Sequence, residues 1–248
     1  MRQLHPTATV IEDPLSALAD DDRPPPEDRP WVMANMVESV DGAYAVEGRS
    51  GGLGTPGDKV VFHSLRALAD VVLVGAGTAR AENYRRPTAV AAAAAIRSGR
   101  GQDPAARLVL VSRSGHIPPD QRFLEGAGPE PLLVHSDELD PSDLPTGVAA
   151  LECSAEDGGV DLIALLATLR AEGVRWVLCE GGPGLLGQLH RADVIDELFV
   201  TISPSMVGGD DVGMLGAGPP LQRHRSLHRL WLDDDEALLA TYRRRGPV

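Results

Sequence analysis

Apolar residues recur along this chain in two rhythms, one of two residues and one of three to four. Alternation appears first in PWVMANMVESV, residues 30–40, where a half-buried strand is predicted; Asp41-Gly42 after it is a strong turn signal. AYAVEG then reads as a return strand or an extended loop. RSGGLGTPGD is polar and Gly-rich, too long for a tight hairpin and suited to wrapping a ligand. The helical rhythm takes over at Lys59–Ala69, with Val60, Val61, Ser64, Leu65 and Leu68 on one face and His63 and Arg66 left for a solvated rim. Asp70 leads into VVLVG, a continuous apolar run of the kind that fills a buried parallel strand, and RLVLV, PLLVHS and VAALECS read as further strands. VDLIALLATLRAEGV predicts an amphipathic helix carrying Leu162, Leu165, Leu166 and Leu169 on one side and stopping at Gly173. It feeds a short strand, Trp176 to Cys179. LFVTISP is another strand, and LHRLWLDDDEALLATYRRR is two antiparallel strands about an Asp-rich turn. Strand–helix alternation followed by tandem strands predicts an α/β fold: a central mixed, mostly parallel sheet flanked by helices, with antiparallel C-terminal strands.

Other stretches lack either rhythm. Residues 1–29, ending in ADDDRPPPEDRP, read as a Pro- and Asp-rich arm lying over the domain, although 10–18 has enough apolar content to pack. The domain proper is expected over 30–248. The Ala-rich segment within 86–106 predicts an exposed helix or a mobile insert, 137–147 a loop, and Arg243 to Arg245 a solvated end.

Composition narrows the function classes. With 23 Lys and Arg against 36 Asp and Glu, the net charge is −13, the wrong sign for gripping a nucleic-acid backbone. No apolar run approaches a membrane span and the N-terminus has no hydrophobic signal core, so a cytoplasmic location is expected. Cys153 and Cys179 make neither a disulfide framework nor a zinc spacing, and no metal is expected.

The stretch most suited to chemistry is GVRWVLCEGGPGLLGQL, residues 173–189. A short strand ends at Glu180, and Gly181, Gly182, Pro183 and Gly184 turn into a helix expected to open at Leu185. Glycine lets main-chain N–H groups approach a ligand, and a helix start adds unpaired donors with a partial positive charge. Together they suit a phosphate or pyrophosphate; the alternative is a tight turn whose glycines serve packing alone. GAGTAR, from Gly75, imitates the dinucleotide fingerprint G-x-G-x-x-G, but Arg80 occupies the third glycine position. A strand and a Gly-Thr turn remain, able to present N–H groups and the Thr78 hydroxyl. Ser112 and Arg113 at a strand end either grip a ribose 2′-phosphate or form a polar turn. Ser39 to Gly42 is likewise a turn or part of a site.

Taken in order, Ser39-x-Asp41-Gly42, Gly75-x-Gly77-Thr78, Glu180-Gly181-Gly182-Pro183 and Asp196-Glu197-Leu198 with Pro204 and Gly208 resemble the reductase domain of the riboflavin-biosynthesis deaminase/reductase, over roughly residues 30–242. The resemblance implies a dihydrofolate-reductase-like fold, a homodimer, and NADPH-dependent reduction of 5-amino-6-(5-phosphoribosylamino)uracil, whose ribose opens to a ribityl chain. It implies that the cofactor meets Val37, Gly52, Gly75, Thr78 and Glu82, that Ser112 and Arg113 lie at its adenosine end, and that the turn of Gly181, Gly182, Pro183, Gly184, Leu185 and Leu186 holds its pyrophosphate. The substrate would meet Ser50, Lys59, Tyr84, Arg85, Arg86 and Glu180, with Glu180 and Asp41 as the candidate catalytic acids. The zinc deaminase signatures of the bifunctional proteins are missing from this sequence. Residues 81–86, AENYRR, also depart from the family pattern of an acidic pair, proline and arginine, and Gly52 stands where a tryptophan is common. Two other readings stay open: a reductase of another heterocycle, such as a pterin, and a catalytically silent nucleotide-binding protein.

Overall fold

Strand β3, Trp31–Ser39, runs down the middle of the sheet because its alternating apolar residues meet helices on both sides. The computed structural model describes residues 1–117, 121–125, 127–136, 139–140, 142, 144–209 and 213–245; the loop expected at 137–147 lies partly outside these. The remaining strands are β1 (Arg2–His5), β2 (Thr9–Val10), β4 (Val71–Gly75), β5 (Arg107–Val111), β6 (Leu132–His135), β7 (Ala149–Glu152), β8 (Trp176–Cys179), β9 (Glu197–Ser203), β10 (Arg225–Leu232) and β11 (Leu238–Arg244). The helices are α1 (Pro14–Ala19), α2 (Pro56–Leu68), α3 (Ala76–Ala81), α4 (Ala94–Gly99), α5 (Leu162–Ala171) and α6 (Pro183–Arg191). Among the described residues one sheet contains every strand, in the order β2-β1-β10-β11-β9-β3-β8-β4-β5-β6-β7. Strands β9 to β7 in that order are parallel, and β9, β11, β10, β1 and β2 pair antiparallel. The mixed α/β architecture is therefore the expected one.

Two apolar layers enclose the sheet. One packs Leu65, Leu68, Val72 and Leu178 beneath α1 and α2; the other packs Val71, Leu73, Val177 and Cys179 beneath α5 and α6. Burial on both faces explains why β4 and β8 read as unbroken apolar runs. It also pushes the Cys179 thiol up to about 12, the behaviour of an inert core residue.

Several elements differ from the sequence reading. Residues 1–29 do more than lie over the domain as an arm: β1 pairs with β10, while within 10–18, where packing was expected, Leu18 is 1% exposed in the core. Polar residues fix the segment. Arg23, fully buried, donates to Glu197 at 2.6 Å, to Asp21 at 2.9 Å and to the carbonyl of Leu18 at 2.6 Å. Asp21, Glu197 and His228 come close enough to suggest a metal, but Arg23, Arg229 and Arg243 already neutralise them. Arg243 and Arg244 likewise form ion pairs, with Glu197 and Asp193, instead of ending the chain in solvent. Of the two outcomes expected for the Ala-rich segment the helix forms, as α4, and it is tethered by Arg97, which donates to the carbonyls of Ala67 and Ala69 at the end of α2. Residues 43–48 form only isolated bridges, and α6 opens at Pro183, two residues earlier than expected. Proline at the first helical position satisfies its fixed φ and its missing N–H.

Candidate active site

The carboxyl ends of β3, β4 and β8 meet at one corner. Parallel pairing sets Ala34 opposite Cys179 and Leu73 opposite Cys179, so the chain leaves β8 between Met36 of β3 and Gly75 of β4. Gly75 N–H donates to the Gly181 carbonyl at 2.8 Å and Glu180 N–H to that of Leu73 at 3.0 Å, closing the corner. Glycine is required here. Gly181 has φ +79°, and a Cβ on Gly182 would stand 2.3 Å from Thr78 Oγ1.

Two concavities share this corner. The first, of 240 Å³, is lined by Asn35, Met36, Val37, Phe62, Tyr84 and Glu180, among others, with Ser50, Asp58, Lys59 and Glu82 adding polar groups. The second, a 370 Å³ groove, runs past Gly75, Gly77, Arg113 and Gln188 over the residues 182–185 that open α6. Thr78, Gly182 and Pro183 line both, so one extended ligand could cross from the groove into the cavity. The start of α6 suits an anion. α1, α2 and α5 are capped by the side chains of Asp13, Thr55 and Asp161, whereas α6, like α3 and α4, has no side-chain cap among the described residues, which leaves first-turn amides of α6 facing the groove. A Cβ on the exposed Gly184 would meet nothing within 4 Å, which leaves the helix start open to a ligand.

The cavity is organised around Glu180. This residue is 7% exposed, and its carboxylate accepts from Arg66 Nε at 2.7 Å, from Arg66 at 2.6 Å through a second nitrogen, and from the Tyr84 hydroxyl at 2.8 Å. Arg66 is clamped over the rings of Phe62 and Tyr84 at 4.2 and 5.1 Å. Burial opposes the Arg66 charge, but the Glu180 carboxylate beside it outweighs burial and raises its pKa. Burial, then the Glu180 charge, pushes the Tyr84 hydroxyl well above its usual value. Arg66 is therefore part of the site and not a rim residue. Its helical spacing placed it beside solvent, and nothing in the sequence signalled a partner 114 positions away.

Asp58, in the first turn of α2, is a second residue that sequence reading missed, because Thr55-x-x-Asp58 looks like ordinary helix capping. Its Oδ1 accepts from the Thr201 hydroxyl at 2.6 Å. Burial raises its pKa; the Thr201 bond opposes this, and the nearby Asp233 charge adds to it.

Of the expected cofactor residues, Val37, Thr78 and Glu82 line the cavity, and Gly75, Thr78, Arg113, Gly182, Pro183, Gly184 and Leu185 line the groove. Glu82 accepts from both the N–H and the hydroxyl of Ser50, at 2.6 and 2.9 Å. Gly52, Ser112, Gly181 and Leu186 line neither surface: Gly52 is exposed, Ser112 half-buried, and Leu186 wholly in the core. Of the expected substrate residues, Ser50, Lys59, Tyr84 and Glu180 line the cavity. Arg86 points elsewhere, donating to the carbonyls of Phe123, Leu124 and Gly147, and Arg85 is exposed outside the lining. Asp41 is also outside it. Its carboxylate accepts from the Ser39 hydroxyl and from the amides of Val207 and Gly208, bonds that lower its pKa to about 2. An acid so placed holds the loop at 207–208 and is not among the residues that line the cavity, so the structure lends its reading as a catalytic group no support.

The family model of the RibD C-terminal domain matches residues 30–239. The 2,5-diamino-6-ribosylamino-4(3H)-pyrimidinone 5′-phosphate reductase of Archaeoglobus fulgidus is 30% identical over 186 residues, 74% of this chain and 84% of that protein. Its namesake from Methanothermobacter thermautotrophicus is 30% identical over 82% of this chain and 91% of its own length. Among solved structures, a pyrimidine reductase-like protein from Corynebacterium diphtheriae superposes with a TM-score of 0.78 at 21% identity, covering 94% of this chain and 99% of that one.

Proposed function

The chain belongs to the RibD C-terminal domain family, and from that premise we propose the division of labour within its site. The protein is an oxidoreductase of riboflavin-biosynthesis type that reduces a phosphorylated ribosylaminopyrimidine. The reading adds NADPH as the reductant, with its pyrophosphate on the uncapped start of α6 and its 2′-phosphate at Arg113. The observation that carries it is the continuity of groove and cavity through Thr78, Gly182 and Pro183.

Reduced nicotinamide supplies a hydride when bound. This chain's residues do the rest. The open Gly182–Gly184 backbone orients the cofactor, and Met36 and Val37 form the floor on which reactants meet. Lys59, exposed at the cavity rim, offers a cation for the substrate's phosphate. Reduction of a ribosylamine carbon is helped by negative charge beside the protonated imine, and Glu180 brings that charge to the cavity wall. The Arg66 fork holds its orientation, so its part is electrostatic and not proton delivery. A homodimer, implied by the resemblance, belongs to the same reading. β10 and β11 are already paired on both sides, so a second copy would meet their faces or one of the sheet edges at β2 and β7.

One titration series tests the assignment: affinity for NADPH and NADH, then oxidation of each on adding the phosphoribosylaminopyrimidine. Tight NADPH binding with turnover is expected. Binding of neither cofactor would remove the reading, and binding without turnover of any pyrimidine or pterin would favour a silent nucleotide-binding protein.

A further inference from the structure

We propose that the Ser39-Val40-Asp41-Gly42 turn is a positioning device for the cofactor groove: Asp41 fixes the segment that follows β9, and that segment sets the pose of the first turn of α6. This deepens the reductase reading and rests on it for the identity of the ligand in the groove.

The turn lies outside the cavity lining, yet it is tied to the segment after β9 by main-chain hydrogen bonds. Val40 N–H donates to the Ser205 carbonyl at 2.9 Å, and the Gly42 carbonyl accepts from Gly213 N–H at 3.0 Å. Between them the Asp41 carboxylate accepts from the amides of Val207, at 3.1 Å, and Gly208, at 2.7 Å. Bonds to an ionised acceptor are the stronger kind, and two successive amides on one carboxylate fix the direction of the chain as well as its distance. The turn is braced from within. Ser39 donates its hydroxyl proton to Asp41 at 2.5 Å and accepts from Ala43 N–H at 3.0 Å.

From Gly213 onward the same segment lies along α6. Met214 packs against the apolar cluster that contains Leu185, Leu186 and Leu189. The Leu215 carbonyl occupies the place of a side chain at Gly187, 2.1 Å from where a Cβ would stand. Gly216 faces the Pro183–Gly184 peptide so closely that a Cβ on it would come within 3.1 Å of that backbone. Glycine at 187 and at 216 lets main chain rest directly on main chain. Farther on, the His190 ring bonds the Leu221 carbonyl at 2.8 Å, and Arg223 donates to the carbonyls of His190 and Arg191 at 3.2 Å.

The contact at Pro183–Gly184 connects this support to function. Both residues line the groove, whereas Gly216 meets their peptide without lining it. Main-chain donors hold an anion only while they point at it, and a displacement of about 1 Å costs up to about 100-fold in a positioned reaction. An acid outside the cavity thereby governs how well the first-turn amides of α6 converge on their ligand.

The test begins with backbone hydrogen exchange on the full chain without cofactor. Asp41→Ala should speed exchange in α6 by about 10-fold while α2 and α5 keep their rates. NADPH affinity should fall by about 10-fold, with kcat at saturating NADPH within about 3-fold of the wild type and affinity for the phosphoribosylaminopyrimidine alone unchanged; a merely loosened fold would weaken both ligands. Asp41→Asn keeps one acceptor oxygen but turns an N–H₂ toward the second amide, so it should restore part of the loss. Met214→Ala removes the apolar anchor of the same segment and should also weaken NADPH, and its effect with Asp41→Ala should be less than additive. Unaltered exchange in α6 would overturn the proposal, as would an Asp41→Ala protein that loses kcat at undiminished NADPH affinity. A wild type that binds neither NADPH nor NADH would remove the cofactor reading alone, because exchange in α6 still decides whether Asp41 holds that helix.

Discussion

Arg66→Met is the perturbation on which the architecture of the cavity bears most directly. It removes both donors that Arg66 gives Glu180, at 2.7 and 2.6 Å, and leaves the carboxylate with the Tyr84 hydroxyl alone. The Glu180 side chain is 2% exposed and that of Arg66 19%, so water can reach the pair from one side only. Breaking a buried ion pair by deleting one partner costs about 3–5 kcal/mol, and partial access puts this pair near the lower end. Stacking on Phe62 and Tyr84 adds about 0.5–1 kcal/mol. A total of roughly 3–4 kcal/mol corresponds to a melting temperature about 10 °C lower for a domain of this size. Glu180→Gln should cost less, since the amide oxygen still accepts one bond from the guanidinium. The double variant should be more stable than the sum of the singles by roughly 2 kcal/mol, measured by urea unfolding at pH 7. Turnover is a second readout. The groove residues 182–185 do not depend on Arg66 for a hydrogen bond, so NADPH affinity should stay within about 2-fold while kcat falls in both single variants. Additive stabilities, or cofactor affinity falling in step with kcat, would show that Arg66 does not act through Glu180.

Gly184→Val places a side chain in space the protein leaves open, so NADPH affinity should fall by about 10-fold or more at an unchanged melting temperature; unaltered binding would refute the α6 assignment. Gly182→Val is the poorer test, because its Cβ already collides with Thr78. Arg113→Ala should narrow the NADPH-over-NADH affinity ratio by roughly 10-fold or more, and an unaltered ratio counts against a 2′-phosphate site there. Burial raises the pKa of Asp58 in the folded state, so ionising it costs stability: the cost is absent below the unfolded value near 3.8 and grows as pH rises through the folded value. Asp58→Asn should therefore gain stability relative to the wild type between acid and neutral pH, and parallel stability–pH curves would refute the assignment. Arg23→Met strands the buried Glu197 with Arg243 and should cost about 3 kcal/mol or more in urea unfolding, whereas a loose arm predicts no change.

Local chemistry determined much of this protein before any contact was known. The unbroken apolar runs at 71–75 and 176–179 could only be strands covered on both faces. The glycines at 181, 182 and 184 suited close backbone approach or tight packing, and their place between a strand and a helix pointed to the corner now proposed as an anion cradle. Such features are legible because period, propensity and backbone freedom belong to neighbouring residues. Residues that act through distant partners could not be read this way. Arg66 lies on the polar side of a helix until β8 delivers Glu180 to it. Asp58 is a capping residue until Thr201 of β9 fixes one oxygen and leaves the other unmatched. Asp41 sits in a motif that suggests catalysis until the loop at 207–208 takes up its carboxylate. Residues 1–29 have too little periodic hydrophobicity to declare a fold, yet β10 offers them an edge and Glu197 a buried charge for Arg23. In each case the deciding energy is the desolvation of a polar group, which depends on what the folded chain brings around it and not on its sequence neighbours.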